Sequence, residues 1–349
     1  MKIFMLSFIF YSFFSLAQEH LVLETIYGKY TITEPVLIEL LEHPMMQRLK
    51  KVRQYGVNHF MIKPEEYHRY EHSIGVFLLL RMHGASLHEQ IAGLLHDVSH
   101  TVFSHVGDWV FQHADGLFSY QDTIHEDFLY KSGLHVVLEK HGFAPCDVVH
   151  KNKEFSMLEQ DLPDLCADRI EYNLQGGLRE QLITQEEFQA LLENLHYQNG
   201  HWFFTDQKLA RSFAEISLYH TKYIWGSCED LIVYMLAGKI LKDAVAIHYL
   251  TLDDIHFGTD DDIWQRLCSC THPDIVAGMH ELKQYKELYQ PTQDSEHAIK
   301  LCSKFRGVDP YVKKEGRLYR LTELDVEYKQ RYDAYKKEKT TGCYFVKLL

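Results

Sequence analysis

The chain has 349 residues, of which 46% are hydrophobic and 24% are charged, so its composition excludes an intrinsically disordered protein. Its net charge of −13 excludes a broad basic surface that would hold duplex DNA by its phosphates, although a local basic pocket is compatible with it. Seven cysteines at scattered positions do not form the pattern of a disulfide framework. The length suits one large domain with a smaller one beside it.

Residues 1–17 have the layout of a secretory signal peptide. Lys2 supplies a positive charge, an apolar stretch follows, and the small residues Ser15 and Ala17 precede a cleavage site at Gln18. The segment is too short for a transmembrane span, so no transmembrane anchor is expected. An upstream start or a buried N-terminal segment is the alternative, because the cysteine pattern does not support export. The expected location is therefore exported or periplasmic, with the cytoplasm as the alternative.

Between residues 26 and 56 the pattern predicts a short extended segment followed by two helices. The extended segment covers residues 27–33, and the first helix begins near Glu34 and Pro35. The second helix is predicted over residues 44–54, because its apolar side chains recur at helical spacing.

Two apolar helices follow, and each carries polar residues at one end. His72 lies at the start of the first helix, and the apolar stripe of the second ends in His96 and Asp97. An antiparallel pair of these helices would bring the three side chains together. Imidazole and carboxylate groups suit a divalent transition metal, and adjacent helical residues about 100° apart can both reach one ion.

The rest of the chain is predicted to be mostly helical up to about residue 250. Residues 106–160 are expected to form helices with polar interruptions, Asp168 projects from the next helix, and long periodic helices occupy residues 205–247. From Phe305 onward apolar and polar residues alternate, which predicts short strands around a helix over residues 326–337.

The residues His72, His96-Asp97 and Asp168 stand in the order H…HD…D. This order resembles the HD-domain metal-dependent phosphohydrolases. The surrounding residues are most similar to the dNTP triphosphohydrolases of the sterile-alpha-motif and HD-domain type and to their bacterial relatives. The likeness runs from about residue 26 to residue 245. The stretches that carry it are 47–54, 69–75, 92–97, 103–105, 125–126 and 168–172.

The resemblance implies a mainly α fold with two parts. An HD-domain helical bundle would cover residues 18–247, and a smaller α+β region would cover residues 248–349 and serve contacts in a homo-oligomer. The implied cofactor is one divalent transition metal. Two imidazoles and two carboxylates do not decide between iron, manganese, zinc and nickel.

The resemblance also assigns roles to individual residues. The metal would be held by His72, His96, Asp97 and Asp168. Protons for the leaving oxygen would come from two histidine–carboxylate pairs, His105 with Asp108 and His125 with Glu126. The substrate-binding residues would be Arg69, His100, Arg169 and Lys222 for the phosphate charge, and Gln54 and Tyr172 for the sugar.

One stretch departs from the pattern of those relatives. Their helix after the segment that resembles residues 219–222 brings further basic and aromatic residues to the triphosphate. Here residues 223–230 contain two acids, Glu229 and Asp230, and no basic residue. A triphosphate would therefore lack part of its counter-charge, whereas the hydrolysis of a simpler phosphate ester would be unaffected.

The expected function is a metal-dependent phosphohydrolase that acts on a nucleotide, with dNTP (dGTP-type) triphosphohydrolysis as the first candidate. A nucleotidase or phosphodiesterase for a less charged phosphate ester is the second. The third is a non-catalytic HD module that binds a nucleotide to regulate a partner. A broken ligand set would indicate that third function, and all four ligands are present.

Overall fold

The computed structural model describes residues 20–111, 119–292, 298–301 and 304–348. The predicted signal peptide, residues 1–17, lies outside the described residues. Helices predominate in the described part and small sheets occur toward its end, which confirms the predicted mainly α class. No helix in those ranges combines the length and the apolar character that crossing a bilayer requires.

The described chain begins with a hairpin and a run of short helices. Strands β1 (Leu21–Thr25) and β2 (Gly28–Ile32) pair antiparallel. They are followed by helices α1 (Pro35–Glu42) and α2 (Pro44–Arg48), a 3₁₀ turn (Leu49–Lys51) and helix α3 (Asn58–Met61).

The helix predicted over residues 44–54 ends early because its last residues pair with another segment. Val52 is extended, and its carbonyl oxygen accepts a hydrogen bond from Arg69 N at 2.9 Å. Gln54 N donates to Tyr67 O at 2.8 Å. These bonds use backbone groups that a continuing helix would need, so the tertiary pairing overrides the helical pattern.

Helices α4 (Arg69–Met82) and α5 (Leu87–Leu95) form the pair that the sequence predicts. Gly93 allows them to approach closely, since a Cβ atom at this position would lie only 2.3 Å from Cδ1 of Leu80. His72 lies in the first turn of α4, and His96 comes directly after the last residue of α5. The pair therefore brings the two histidines to the same end.

The middle of the chain is helical with one hairpin. Residues 141–166 form turns and one 3₁₀ segment (Pro145–Val148), so the helices predicted up to residue 160 end at Lys140. The elements are α6 (Val106–Val110), α7 (Tyr120–Lys131), α8 (Leu134–Lys140), α9 (Ala167–Arg179), α10 (Gln185–Glu193), β3 (Leu195–Gln198), β4 (His201–Phe204), α11 (Gln207–Tyr223) and α12 (Cys228–Ala246).

The last part alternates between short helices and short strands. The predicted helix over residues 326–337 is present and extends to Thr341. The elements are α13 (Leu252–Phe257), α14 (Asp260–Ser269), α15 (Pro273–Lys283), α16 (Tyr285–Leu288), β5 (Tyr289–Pro291), β6 (Ile299–Leu301), β7 (Tyr311–Lys314), β8 (Arg317–Arg320), α17 (Leu321–Leu324), α18 (Val326–Thr341) and β9 (Cys343–Lys347).

Sheets and cores connect distant parts of the chain. One sheet has the order β3-β4-β7-β8, with β4 parallel to β7, and another has the antiparallel order β5-β9-β6. The larger hydrophobic cluster joins α1, α2, α4, α5 and α7–α11 to Val308, Val312 and Tyr328, and the smaller one surrounds α12 and includes Val57. Both clusters contain residues from either side of residue 247, and the domain boundary at that position stays a prediction.

A disulfide between Cys228 and Cys343 joins the first residue of α12 to the first residue of β9. The Cα atoms are 5.9 Å apart, and the two residues are separated by 115 positions in sequence. The described cysteines outside this bond are free. The scattered cysteine pattern correctly indicates that no multi-bond framework is present among the described residues, but it cannot reveal a single pair that only the fold brings together.

Candidate metal centre

Three of the predicted ligands meet where α4, α5 and α9 converge. Nε2 of His72 lies 3.2 Å from Nε2 of His96 and 2.9 Å from Oδ1 of Asp168. The potential ligand atoms of these three residues all lie within 4.8 Å of one another, and both histidines are buried. One ion placed among these atoms would be within reach of all three.

Asp97 brings a second carboxylate to the same place. Its Oδ2 atom lies 3.5 Å from Nε2 of His72, and its Oδ1 atom lies 3.5 Å from Nε2 of His96. The position of both side chains follows from the end of α5 at Leu95. His96 and Asp97 come directly after its buried apolar face. The structure therefore brings together all four residues that the sequence predicts as ligands.

The other ring nitrogen of each histidine already has an acceptor. Nδ1 of His72 lies 2.5 Å from Oε2 of Glu171, and Nδ1 of His96 lies 2.8 Å from the carbonyl oxygen of Gly93. Each Nδ1 therefore donates, which leaves a lone pair on each Nε2 in the neutral rings. In this neutral form two lone pairs face each other at 3.2 Å, so a cation between them would satisfy both, and the donor set fits a divalent transition metal.

The electrostatics of this pocket also favour a cation. Burial alone would lower the pKa of His72, but Glu171, Asp168 and Asp97 outweigh it and raise this pKa to about 10. Burial alone would raise the pKa of Asp97, but the Arg69 guanidinium and the neighbouring histidines hold it well below its usual value. Three carboxylates thus surround the two imidazoles, and a single guanidinium faces them among the described side chains in contact with these ligands.

Glu171 has no role in the sequence prediction, although it lies inside the 168–172 stretch that carries the resemblance. Its position three residues after Asp168 is a usable signal, because residues three apart on a helix share a face. Asp168 reaches Nε2 of His72 from that face, and Glu171 reaches Nδ1 of the same ring.

The cationic residues predicted to bind phosphate already have partners within the chain. Nη1 of Arg69 lies 2.5 Å from Oδ2 of Asp97, and Nε2 of His100 lies 3.1 Å from Oδ1 of the same carboxylate. The guanidinium of Arg169 donates to the carbonyl oxygens of Asp164 and Gln160.

Lys222 is directed toward the C-terminal part of the chain. Its Nζ atom lies 3.4 Å from Oε2 of Glu338 and 4.3 Å from the ring centroid of Tyr335. The structure therefore does not bring Lys222 together with the four metal ligands, and it gives the predicted phosphate-binding cations internal partners.

The two predicted histidine–carboxylate pairs differ in the structure. Nδ1 of His105 lies 3.2 Å from Oδ2 of Asp108, and the His105 side chain is 31% exposed, so it can meet a ligand that enters from solvent. His125 is buried and Glu126 is exposed, because neighbouring residues on a helix point in directions about 100° apart. The group that orients His125 is Ser99, whose Oγ atom lies 2.9 Å from Nδ1 of His125.

The rings of Tyr172 and Trp225 lie beside the predicted metal ligands and are called the aromatic wall below. The ring centroid of Tyr172 is 6.4 Å from that of His72 and 5.1 Å from that of Trp225. The buried atoms Oε1 of Gln54, OH of Tyr55 and Nε1 of Trp225 have no hydrogen-bond partner among the described residues. The sequence predicts Gln54 and Tyr172 here but misses Tyr55 and Trp225. The aromatic content of residues 223–230 is the signal that could have revealed Trp225.

The two acids of that stretch have partners as well. Oε1 of Glu229 lies 2.9 Å from Nζ of Lys286 and accepts a hydrogen bond from Tyr285. Oδ1 of Asp230 accepts from Nδ2 of Asn58 at 2.8 Å, and burial raises the pKa of Asp230 to about 8. The stretch therefore does not direct two free negative charges at a substrate, which removes one argument against a triphosphate.

Comparison with known proteins places these residues in a family. The family model of the HD domain matches residues 69–173. The uncharacterized protein YdhJ of Bacillus subtilis is 31% identical over 291 residues, which cover 83% of this chain and 87% of YdhJ. The metal-dependent phosphohydrolase cns2 of Cordyceps militaris is 30% identical over 308 residues, which cover 85% of this chain and 86% of cns2.

Two further proteins are similar in part or in fold. The deoxynucleoside triphosphate triphosphohydrolase SAMHD1 of Homo sapiens is 28% identical over 136 residues, which cover 32% of this chain and 21% of SAMHD1. A crystal structure of a phosphohydrolase from Bacteroides thetaiotaomicron superimposes with a TM-score of 0.68 at 14% identity, covering 93% of this chain and 98% of that protein. At this identity the second likeness shows the fold alone.

Proposed function

The chain belongs to the HD-domain metal-dependent phosphohydrolases, and on that premise we propose that it hydrolyses the phosphate ester of a nucleotide, with a monophosphate or a diester preferred over a triphosphate. The observation that carries this preference is the internal pairing of the predicted phosphate-binding cations, Arg69, His100, Arg169 and Lys222. Each of these four cations already has an internal partner that a triphosphate would have to replace, whereas one phosphoryl group needs little beyond the metal centre.

Each residue of the metal centre has its own role in the proposed reaction. His72, His96, Asp97 and Asp168 would hold a divalent ion, which when bound polarises a phosphoryl group and makes hydroxide available near neutral pH. Glu171 holds the His72 ring so that Nε2 faces the other ligands. His105, with Asp108 on its Nδ1 atom, lies where it can exchange a proton with a ligand that enters from solvent.

The aromatic wall supports the nucleotide as the substrate class. Tyr172 and Trp225 offer ring faces and edges to a flat group, and the unpartnered polar atoms of Gln54 and Tyr55 can bond hydroxyl or amide groups. Gly176 lets the His220 ring pack against α9, since a Cβ at this position would lie 2.8 Å from Cε1 of His220, and the centroid of that ring lies 4.4 Å from that of Trp225. A sugar and base would thus extend along α9 away from the metal ligands.

The alternative is dNTP triphosphohydrolysis, the first candidate from sequence. The partial likeness to SAMHD1 favours it, and so does the internal pairing of Glu229 and Asp230. The third candidate, a non-catalytic nucleotide-binding module, has less support because all four ligands converge.

The deciding experiment is a hydrolysis panel with the purified chain and added Mn²⁺. It contains nucleoside mono-, di- and triphosphates and bis(4-nitrophenyl) phosphate. We expect turnover of the monophosphates or the diester, and a loss of at least about a hundredfold in the Asp168→Asn variant. Asp127→Asn is the matched control, because this carboxylate is exposed and has no assigned role, and its activity should stay at the wild-type level.

The other outcomes of the panel are equally informative. Release of inorganic triphosphate from dNTPs, abolished in Asp168→Asn, would establish the alternative. Nucleotide binding without turnover of any compound would indicate the regulatory module and overturn the hydrolase proposal.

A further inference from the structure

A second group of potential metal ligands lies at the start of α9. Glu159, Cys166 and Asp168 each offer one ligand atom, and these three atoms all lie within 4.8 Å of one another. Cys166 directly precedes the first residue of α9, and Asp168 is the second residue of that helix. Asp168 also belongs to the metal centre described above, whereas the sequence analysis assigns no role to Glu159 or Cys166.

Backbone groups hold Glu159 beside the start of α9. Ala167 N donates a hydrogen bond to Met157 O at 2.7 Å. Arg169, in the first turn of α9, donates from Nη2 to the carbonyl oxygen of Gln160 at 3.1 Å. Glu159 lies between these two anchored residues, so the position of its side chain relative to the helix is set by the backbone of both segments.

The thiol of Cys166 is fully buried and does not belong to the disulfide. Its sulfur has no hydrogen-bond partner among the described residues. Buried free cysteines commonly behave as small apolar side chains. Here the sulfur instead lies within 4.8 Å of oxygens from two carboxylates, which indicates an atom that meets a ligand between them.

The carboxylate of Glu159 is half-buried and forms no hydrogen bond or ion pair within the part of the chain that the structure describes. Arg169 attracts both Glu159 and Asp168, but its guanidinium donates to carbonyl oxygens. Two ionised carboxylates this close repel each other unless a cation joins them.

The combination of sulfur and carboxylate oxygen suits a divalent ion that accepts both kinds of ligand. Zn²⁺ binds cysteine sulfur at about 2.3 Å and carboxylate oxygen at about 2.0–2.2 Å, usually with four ligands in total. Ions that prefer oxygen alone, such as Mg²⁺ and Ca²⁺, would leave the sulfur unused. Three protein ligands leave the fourth position to water.

We propose that Glu159, Cys166 and Asp168 form a second site for a divalent cation of the class of Zn²⁺ or Co²⁺, and that Asp168 is shared between the two sites. A carboxylate has two oxygens, so Asp168 can bind one ion with each. Binding forms a metal–sulfur bond and breaks the S–H bond of Cys166, and the proton goes to solvent. The site does not depend on the proposed hydrolysis.

A cation at this place would also change the charge next to the first centre. The predicted phosphate-binding cations already have internal partners, so this ion would add a positive charge that those side chains do not offer to a phosphate oxygen. That consequence, unlike the site, rests on the proposed function.

The test uses Co²⁺, because Co²⁺ bound to a thiolate absorbs strongly in the near ultraviolet, whereas Co²⁺ bound only to imidazole and carboxylate groups does not. The full chain is freed of metal with a chelator, kept without reductant so that the disulfide stays intact, and titrated with Co²⁺ alone. We expect two bound ions per chain and a thiolate band. In Cys166→Ser the band should disappear and one ion should remain.

Cys270→Ser is the matched control, because Cys270 is also a buried free cysteine, and this variant should keep the band. Three results would overturn the proposal: no band in the wild type, a band that persists in Cys166→Ser, or a band that is lost in Cys270→Ser.

Glu159→Gln provides a second test should Cys166→Ser fail to fold by circular dichroism. The affinity for the Co²⁺ ion that produces the band should fall at least about tenfold, because the charge of a direct ligand is lost. Glu154→Gln is its control, since Glu154 is an exposed carboxylate on the preceding turn. Equal affinities in Glu159→Gln and the wild type would contradict the ligand set.

X-ray absorption of the wild type loaded with two equivalents of Zn²⁺ detects the sulfur ligand directly. We expect a sulfur shell at about 2.3 Å, and a shell of nitrogen and oxygen alone would refute the site. These measurements need no substrate. A chain that hydrolyses nothing would therefore refute the proposed function, while the cobalt band would still decide whether the second site exists.

Discussion

Glu171 is the residue on which the orientation of the metal ligands depends most. Its buried carboxylate lies 2.5 Å from Nδ1 of His72 and also accepts hydrogen bonds from the hydroxyl groups of Tyr27 and Tyr67 and from Nε2 of Gln175. With four donors around it, this carboxylate cannot turn away from the histidine. The His72 ring is therefore held with its Nε2 lone pair toward the other ligands.

Glu171→Gln should weaken metal binding by about ten- to a hundredfold, because an amide in place of the carboxylate no longer fixes the donor state of His72 Nδ1. Competition with a chromogenic chelator measures the affinity for Zn²⁺ or Mn²⁺. Glu89→Gln is the matched control, since Glu89 is also a buried carboxylate but accepts from Met157 N and Leu158 N. Equal affinities in wild type and Glu171→Gln would refute the assigned role.

Gly176→Ala should reduce nucleotide binding without affecting the metal ligands. A Cβ atom there would lie 2.8 Å from Cε1 of His220 and 3.4 Å from the hydroxyl oxygen of Tyr55, so it would push the His220 ring, which contacts Trp225 of the aromatic wall. We expect KM for a nucleotide to increase about tenfold and KM for bis(4-nitrophenyl) phosphate to stay unchanged. The neighbouring variant Gly177→Ala, whose Cβ would face Ile216, is the control. A parallel change for both substrates would show that the aromatic wall does not hold the nucleoside.

Helix α9 connects the metal ligands to the aromatic wall. Asp168, Tyr172 and Gly176 follow one another at intervals of four residues and lie on one face, so each step advances about 6 Å along the helix axis. The same helix contacts α4 through Glu171 and α11 through Asn173, whose Oδ1 atom lies 3.2 Å from Nδ1 of His220. A tilt of this one helix would therefore change the metal site and the aromatic wall together.

The packing of α11 against α9 should make stability depend on pH. Burial lowers the pKa of His220 to about 3, whereas an unfolded histidine titrates near 6.5. The unfolded chain therefore takes up this proton first, so the contribution of His220 is complete above about pH 6.5 and is lost as the pH falls toward 3.

Between pH 6 and pH 4, His220→Gln should reduce the slope of the unfolding free energy against pH by about 1.4 kcal/mol per pH unit, which corresponds to one proton. Urea denaturation at several pH values measures both slopes. Identical slopes for the two proteins would mean that His220 is already protonated in the folded state.

The helical pair and its ligands could be predicted from sequence because their signals are local. The stripe that ends in His96 and Asp97 is readable from spacing, and the order of ligand types adds the distant Asp168. The end of the helix near Arg48 could not be predicted, since it depends on backbone bonds between residues 52–54 and 67–69. The hairpin β3–β4 carried a readable signal that the sequence analysis missed. It turns at Asn199-Gly200, where both residues have positive φ, as such turns require.

For the predicted site residues, too, local features could be predicted from the sequence and long-range contacts could not. Their identities could be inferred, but their hydrogen-bond partners could not, because the partners come from distant segments. Arg69 is an example: its charge suggests phosphate binding, whereas the fold places it 2.5 Å from Asp97. Glu159 had no local signal at all, and its place beside Cys166 follows from the backbone bond between Ala167 N and Met157 O.

At the scale of the whole molecule, the disulfide Cys228–Cys343 closes a large loop between α12 and β9. Reduction should lower the unfolding temperature. The bond lowers the conformational entropy of the unfolded chain, which stabilises the folded state by up to about 4.7 kcal/mol for a loop of roughly this size. Calorimetry with and without a phosphine reductant measures the difference. Cys343→Ser should reproduce the reduced state, and Cys146→Ser, at an exposed free cysteine, should not change it. A reductant effect that persists in Cys343→Ser would point to another bond.

The parallel pairing of β4 with β7 has a consequence for how the chain is made. Phe203 and Phe204 emerge from the ribosome about a hundred residues before their neighbours Tyr311 and Val312. During that interval β4 exposes an open edge with an apolar strand, which is a surface prone to join other nascent chains. Synthesis of this protein should therefore require a holding chaperone until the last strands arrive, and a chain that stops at residue 247 should accumulate as aggregate.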